Sequence, residues 1–108
     1  MFHSLSMKNL LEKRTSGWKP FILDVRSDGE FQQAKVASCD FQINHESILS
    51  ALDSLPKDRE IVILCRSGMR SQMAAMSLVN AGYQGSMLYN LEGGILAWHA
   101  NAPEEIIT

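Results

Sequence analysis

Cys65 closes the apolar run Ile61-Val62-Ile63-Leu64 and is followed by Arg66-Ser67-Gly68-Met69-Arg70-Ser71. That order supplies the parts of a reactive thiolate. The first backbone N–H groups of a helix lack intrahelical partners, and the helix macrodipole puts partial positive charge beside them. A sulfur held over such donors, with Arg66 and Arg70 close by, ionises below the free-cysteine pKa of about 8.5. The thiolate is the nucleophile, and the same donors suit an anionic substrate. A strand-end cysteine is often only a small buried hydrophobe. Here two arginines and two serines within six residues make poor core neighbours, and Gly68 lets the backbone curl through positive φ. The functional reading of Cys65 therefore comes first.

No other residues form a comparable constellation. Cys39 and Cys65 are too few for a secreted disulfide scaffold and too far apart for a CxxC pair. His3, His45 and His99 stand singly, without metal-ligand spacing, and read as surface or packing residues. No metal site is expected. A net charge of −2 and the lack of any basic cluster argue against nucleic-acid binding. No apolar run approaches the roughly 20 residues of a membrane span. Met1-Phe2-His3-Ser4-Leu5 lacks the features of a secretory signal, so the expected location is the cytoplasm. The 108 residues, 45% of them hydrophobic, suit one domain over 1–108 with its own core.

The elements that must position Cys65 can be read from apolar spacing. A helix is expected over about 6–14, with Ser6 as N-cap and Leu10 and Leu11 inward. Phe21-Ile22-Leu23 reads as a strand ending at Asp24-Val25-Arg26, followed by a short helical segment carrying Phe31. Residues 41–43 suit a brief strand, and Glu46 to Leu55 has helical spacing. After the 61–64 strand comes a helix over 71–81, with Met73, Ala74, Ala75, Met76 and Leu78 available for the core and Gly82 in the C′ place. Met87-Leu88-Tyr89 is a further strand, and Ile95 to Ala100 a last helix carrying Trp98. Residues 103–108 are expected to be loosely ordered.

Short apolar strands alternating with helices imply a largely parallel sheet covered on both faces. Sites in such sheets form beyond the carboxyl ends of the strands. Asp24-Val25-Arg26 and Cys65 would then share one edge. Asp24 is expected to act mainly as a strand-end cap, with orientation of the active loop as its functional alternative. Arg26 is expected to pair with Glu30 across the turn. Gly93-Gly94 reads as a tight backbone path, Trp98 as core, Met69 as an exposed residue at the loop tip and the remaining methionines as core fillers.

Three segments carry a family resemblance: Leu23-Asp24-Val25-Arg26 with Glu30-Phe31, Ile63-Leu64-Cys65-Arg66-Ser67-Gly68-Met69-Arg70-Ser71, and Leu91-Glu92-Gly93-Gly94-Ile95-Leu96-Ala97-Trp98. In this order they resemble the single-domain rhodanese sulfurtransferases, over about residues 5–103. The resemblance implies an α/β fold with a roughly five-stranded, mostly parallel sheet and helices on both faces. It implies transfer of a sulfane sulfur through a persulfide on Cys65, with no cofactor. The amides of residues 66–70 would bind the anionic groups, with Arg66 and Arg70 drawing them in; Ser67, Gly68, Met69 and Ser71 complete the binding loop, and Asp24 and Arg26 support it. The implied partners are a small anionic sulfur donor, a cyanide or thiol acceptor and a sulfur-relay protein. Alternatives are a persulfide carrier without turnover, and a small phosphatase or arsenate reductase on the same fold. Phosphatase relatives place five residues between cysteine and arginine; here Arg70 follows after four, a loop too tight for phosphate.

The chain departs from the family pattern at Ala34-Lys35-Val36-Ala37-Ser38-Cys39, where Gly-His-Ile, a small-residue turn and Ala are usual. The change falls on a structural turn. Cys39 takes the place of the alanine and is expected to be a small filler rather than a resolving thiol.

Overall fold

Residues Ile61 to Leu64 are fully buried, as a continuous apolar strand in a parallel sheet requires. Ile61, Ile63 and Cys65 enter the core on one face, while Val62 and Leu64 enter the core on the other. The computed structural model describes residues 1–108. The chain runs β1 (His3–Leu5), α1 (Met7–Thr15), β2 (Phe21–Asp24), α2 (Asp28–Gln33), β3 (Lys35–Val36), β4 (Phe41–Gln42) and a 3₁₀ segment (His45–Ser54). It continues through β5 (Ile61–Leu64), α3 (Met69–Asn80), β6 (Leu88–Leu91), α4 (Gly94–Asn101) and β7 (Ile106–Ile107).

The main sheet has the order β1-β6-β5-β2-β4, and every pairing in it is parallel. On one face, Ala74, Ala75 and Leu78 of α3 and Ile48 of the 3₁₀ segment pack against Leu23, Ile61 and Ile63. On the other, Met7 and Leu10 of α1 and Ile95 and Trp98 of α4 cover Ile22, Val62 and Leu64. This is the α/β architecture expected from the alternation of strands and helices. No helix is long and apolar enough to cross a membrane.

Four expectations are corrected. The segment after Asn44 is 3₁₀ rather than α-helical. Its serines and aspartate compete for the backbone, as when Ser50 Oγ donates to the Ser47 carbonyl at 2.6 Å. The C-terminal tail is tied down: Ile106 and Ile107 pair antiparallel with Val36 and Lys35, and the Glu105 carboxylate accepts from Arg14 and from the Trp98 indole. α3 begins at Met69, inside the loop rather than after it. Finally, Met73 and Met76 are not core fillers but lie 58% and 49% exposed. Ser71, Ala74, Ala75 and Leu78 form the buried face of α3, and the helical turn puts Met73 and Met76 on the opposite side.

Candidate active site

The active loop starts where β5 ends, and its shape is set by glycines. Gly68 caps the N-terminus of α3 at φ +115°, a region that side chains other than glycine seldom enter. The chain thereby turns back over Cys65, and the Gly68 N–H donates to Cys65 Sγ at 3.1 Å. Gly94, at φ +55°, lies so close beneath the loop that a Cβ there would sit 2.4 Å from the Cys65 carbonyl oxygen and 2.5 Å from that of Arg66. The first free amides of α4 use this closeness. Ile95 N–H donates to the Cys65 carbonyl at 2.8 Å, and Leu96 N–H to the Arg66 carbonyl at 3.3 Å. The loop therefore keeps its own amides for the sulfur, while α4 satisfies its carbonyls.

Cys65 is only 1% exposed, so its surroundings rather than bulk water set its acidity. Burial pushes the thiol pKa up. The Ser71 hydroxyl and the amides of Ser71, Gly68 and Ser67 outweigh burial and leave the pKa below its ordinary value. Ser71 Oγ lies 3.4 Å from Sγ and donates to Asn90 Oδ1 at 2.5 Å. Asn90 Nδ2 donates in turn to the Gly68 carbonyl at 3.2 Å, which fixes the orientation of the amide. A hydroxyl has one proton. With that proton on Asn90, the Cys65 S–H is the donor to Ser71; once the sulfur ionises, the Ser71 hydroxyl can turn to it.

The arginines separate into three situations. Arg66 is exposed at the loop rim. Arg70 forks onto Glu30, with N–O distances of 2.6 and 2.8 Å. Its hydrogen bonds hold the Glu30 carboxyl down at about 2, with the Ser27 amide and hydroxyl adding to the effect. Arg26 does not pair with the Glu30 carboxylate. It is buried and grips Asp24, donating from Nη2 to Oδ2 at 2.8 Å, and also donates to the Ala34 carbonyl at 2.7 Å. The reason is reach: Asp24 is two residues away and turned inward, while the α2 capping box points Glu30 toward the loop.

The expected residues thus fall into two groups. Arg66, Ser67, Gly68, Arg70 and Ser71 surround Cys65, and Met69 is 76% exposed beside them, as its place at the loop tip suggested. Asp24 and Arg26 stand at the same sheet edge, but their hydrogen bonds go to each other and to β2, α2 and β4 neighbours rather than to the loop. Asp24 is a strand-end cap, accepting the Arg26 N–H at 2.9 Å. Two residues were missed. Asn90 carries a signal, an amide inside an otherwise apolar strand at the sheet edge that holds Cys65. Glu30 lies within its motif, but its spacing points to Arg26, while the fold pairs it with Arg70. No group of three or more His, Cys, Asp or Glu side chains is arranged to hold a metal.

A parallel sheet of this order, with a cysteine loop between β5 and α3, defines an α/β domain with a buried cysteine at the carboxyl edge of its sheet. The family model for the rhodanese-like domain matches residues 6–101, and the chain belongs to that sulfurtransferase family. It is 34% identical over 98 residues to a sulfurtransferase of Allochromatium vinosum, covering 91% of this chain and 89% of the relative. It is 32% identical over 102 residues to the thiosulfate sulfurtransferase GlpE of Shewanella oneidensis, covering 94% and 97%. Among solved structures, a rhodanese-like domain protein from Staphylococcus aureus superposes with a TM-score of 0.78 at 28% identity, over 90% of this chain and 91% of that one.

Proposed function

We propose that this protein moves sulfane sulfur in two displacements through Cys65. In the first, the Cys65 thiolate attacks the outer sulfur of thiosulfate or of a persulfide donor. The donor's S–S bond breaks, and sulfite, or the donor's thiolate, leaves with the bonding pair. Cys65 becomes a persulfide anion. In the second, cyanide or a thiolate attacks the terminal sulfur, the S–S bond to Cys65 breaks, and thiocyanate or a new persulfide departs as the Cys65 thiolate returns. Charge balances in each step, so neither a cofactor nor a redox partner is required.

One observation carries this reading: a nearly inaccessible sulfur with a lowered pKa, ringed by amide donors at the mouth of a helix. The same donors would hold the charge of the persulfide, which is larger and reaches further than the thiolate. Such a thiol suits a reducing compartment, the cytoplasm in our proposal. A second reading, a carrier that accepts sulfur but passes it only to a partner protein, draws support from the engagement of Arg70 by Glu30.

Intact-protein mass spectrometry tests both. Reduced protein incubated with thiosulfate should gain one sulfur atom on Cys65 and lose it on adding cyanide. Loading without discharge by cyanide or small thiols would favour the carrier. Loading on any other residue would refute the assignment of Cys65.

A further inference from the structure

The cation most obviously placed to receive an anionic donor is already occupied. Arg70 makes a two-pronged bond to Glu30, and both side chains are 30% exposed at the rim of the loop. Glu30 is not a loosely swinging partner. Its Oε1 also accepts from the Ser27 N–H at 3.1 Å and the Ser27 hydroxyl at 3.0 Å, which fixes the carboxylate from the α2 side. Asp24 neutralises Arg26 in the same way, so of the three arginines at this sheet edge only Arg66 faces a donor without an acidic partner.

We propose that Glu30 is a specificity-determining residue that keeps the Arg70 guanidinium engaged at the rim of the sulfur site and biases the protein against dianionic donors. The inference rests on the sulfur-transfer reading above. Thiosulfate ends in a sulfonate and must displace the Glu30 carboxylate, or bind beside it against its charge, to use the Arg70 fork. A persulfide donor has no sulfonate to place. It needs only the loop amides around its terminal sulfur, which Glu30 does not touch. The favoured donor class is therefore a persulfide carried on a thiol.

Glu30→Gln isolates this effect. Glutamine can still serve the capping box of α2, but it removes the charge that retains Arg70. The variant should lower KM for thiosulfate by about fivefold at low ionic strength, with the change in KM rather than kcat, and the gain should shrink in high salt. KM for cysteine persulfide should stay within about twofold. An unchanged thiosulfate KM, or equal gains for both donors, would overturn the proposal. Binding without turnover provides an independent reading: calorimetry of thiosulfate on Cys65→Ser should tighten by a similar factor when Glu30→Gln is added, and equal affinities would again overturn it. If neither parent nor variant loads sulfur from either donor, sulfur transfer fails as the function, and the calorimetric pair still decides the role of Glu30.

Discussion

Two thiols lie on opposite sides of one sheet: Cys65 in the core beneath α3, and Cys39 against the core beneath α1 and α4. Cys65 is the more deeply buried, yet its pKa is lowered, whereas burial and then the charge of Asp24 push the half-buried Cys39 up to about 11. Exposure does not separate them. Cys65 faces N–H groups, while the Cys39 thiol donates to the carbonyls of Phe41 at 3.3 Å and Ile22 at 3.8 Å. Around Cys65 the donors outweigh burial; around Cys39 the Phe41 and Asp24 backbone groups also pull the pKa down but are outweighed by burial and the Asp24 charge. The filler role expected of Cys39 agrees with this environment, and the sheet separates it from Cys65.

The contrast can be broken most completely by replacing each sulfur. Cys65→Ser should abolish sulfur loading, and Cys39→Ser should leave it intact; mass spectrometry of both variants after thiosulfate would show which thiol reacts. A smaller effect is expected from Ser71→Ala, which removes the hydroxyl nearest to Sγ. Hydrogen bonds to charged groups contribute about 1.5–3 kcal/mol, so the pKa of Cys65 should rise by about one unit or somewhat more. The pH profile of iodoacetamide alkylation would report that shift, and an unmoved profile would leave the amides as the sole stabilisers. Separate from these is the alkaline effect of Cys39 on stability. Its folded pKa of about 11 exceeds its ordinary 9.0, so the contribution is complete below pH 9.0 and is lost as pH rises toward 11. Cys39→Ser should flatten that part of the denaturation-versus-pH curve, whereas Cys65, with its pKa lowered, contributes with the opposite sign.

The two ion pairs at the site offer a parallel contrast in stability. Asp24→Ala would strand the buried Arg26 guanidinium, a change that typically costs about 3–5 kcal/mol. Glu30→Gln opens a pair at the rim and should cost about 1 kcal/mol or less. Urea denaturation of the two variants would rank them, and a reversed order would contradict the burial that distinguishes the pairs.

What could be read in advance follows from the range of the interactions involved. The four-residue apolar run into Cys65, the Gly68 turn and the Gly82 stop are local signals, and each lies where the sequence placed it. β1, β3 and β7 have only two or three residues each, too few for an alternation to register, and they exist because a distant strand pairs with them. The partners of Arg26 and Arg70 were hidden for a related reason. Sequence spacing favoured a local Arg26–Glu30 pair, but the fold brings Arg70 to Glu30 from 40 positions away. Met73 and Met76 are apolar by type, but the helical turn sets them opposite the Ala74, Ala75 and Leu78 face that packs on the sheet.

The grip of α4 on the loop also makes the shape of the site depend on an element remote from it in the chain. The carbonyls of Cys65 and Arg66 find their donors only in Ile95 and Leu96, and the room for that contact exists because residue 94 is a glycine. A side chain placed at residue 94 would push the start of α4 off the loop and leave those two carbonyls without their donors.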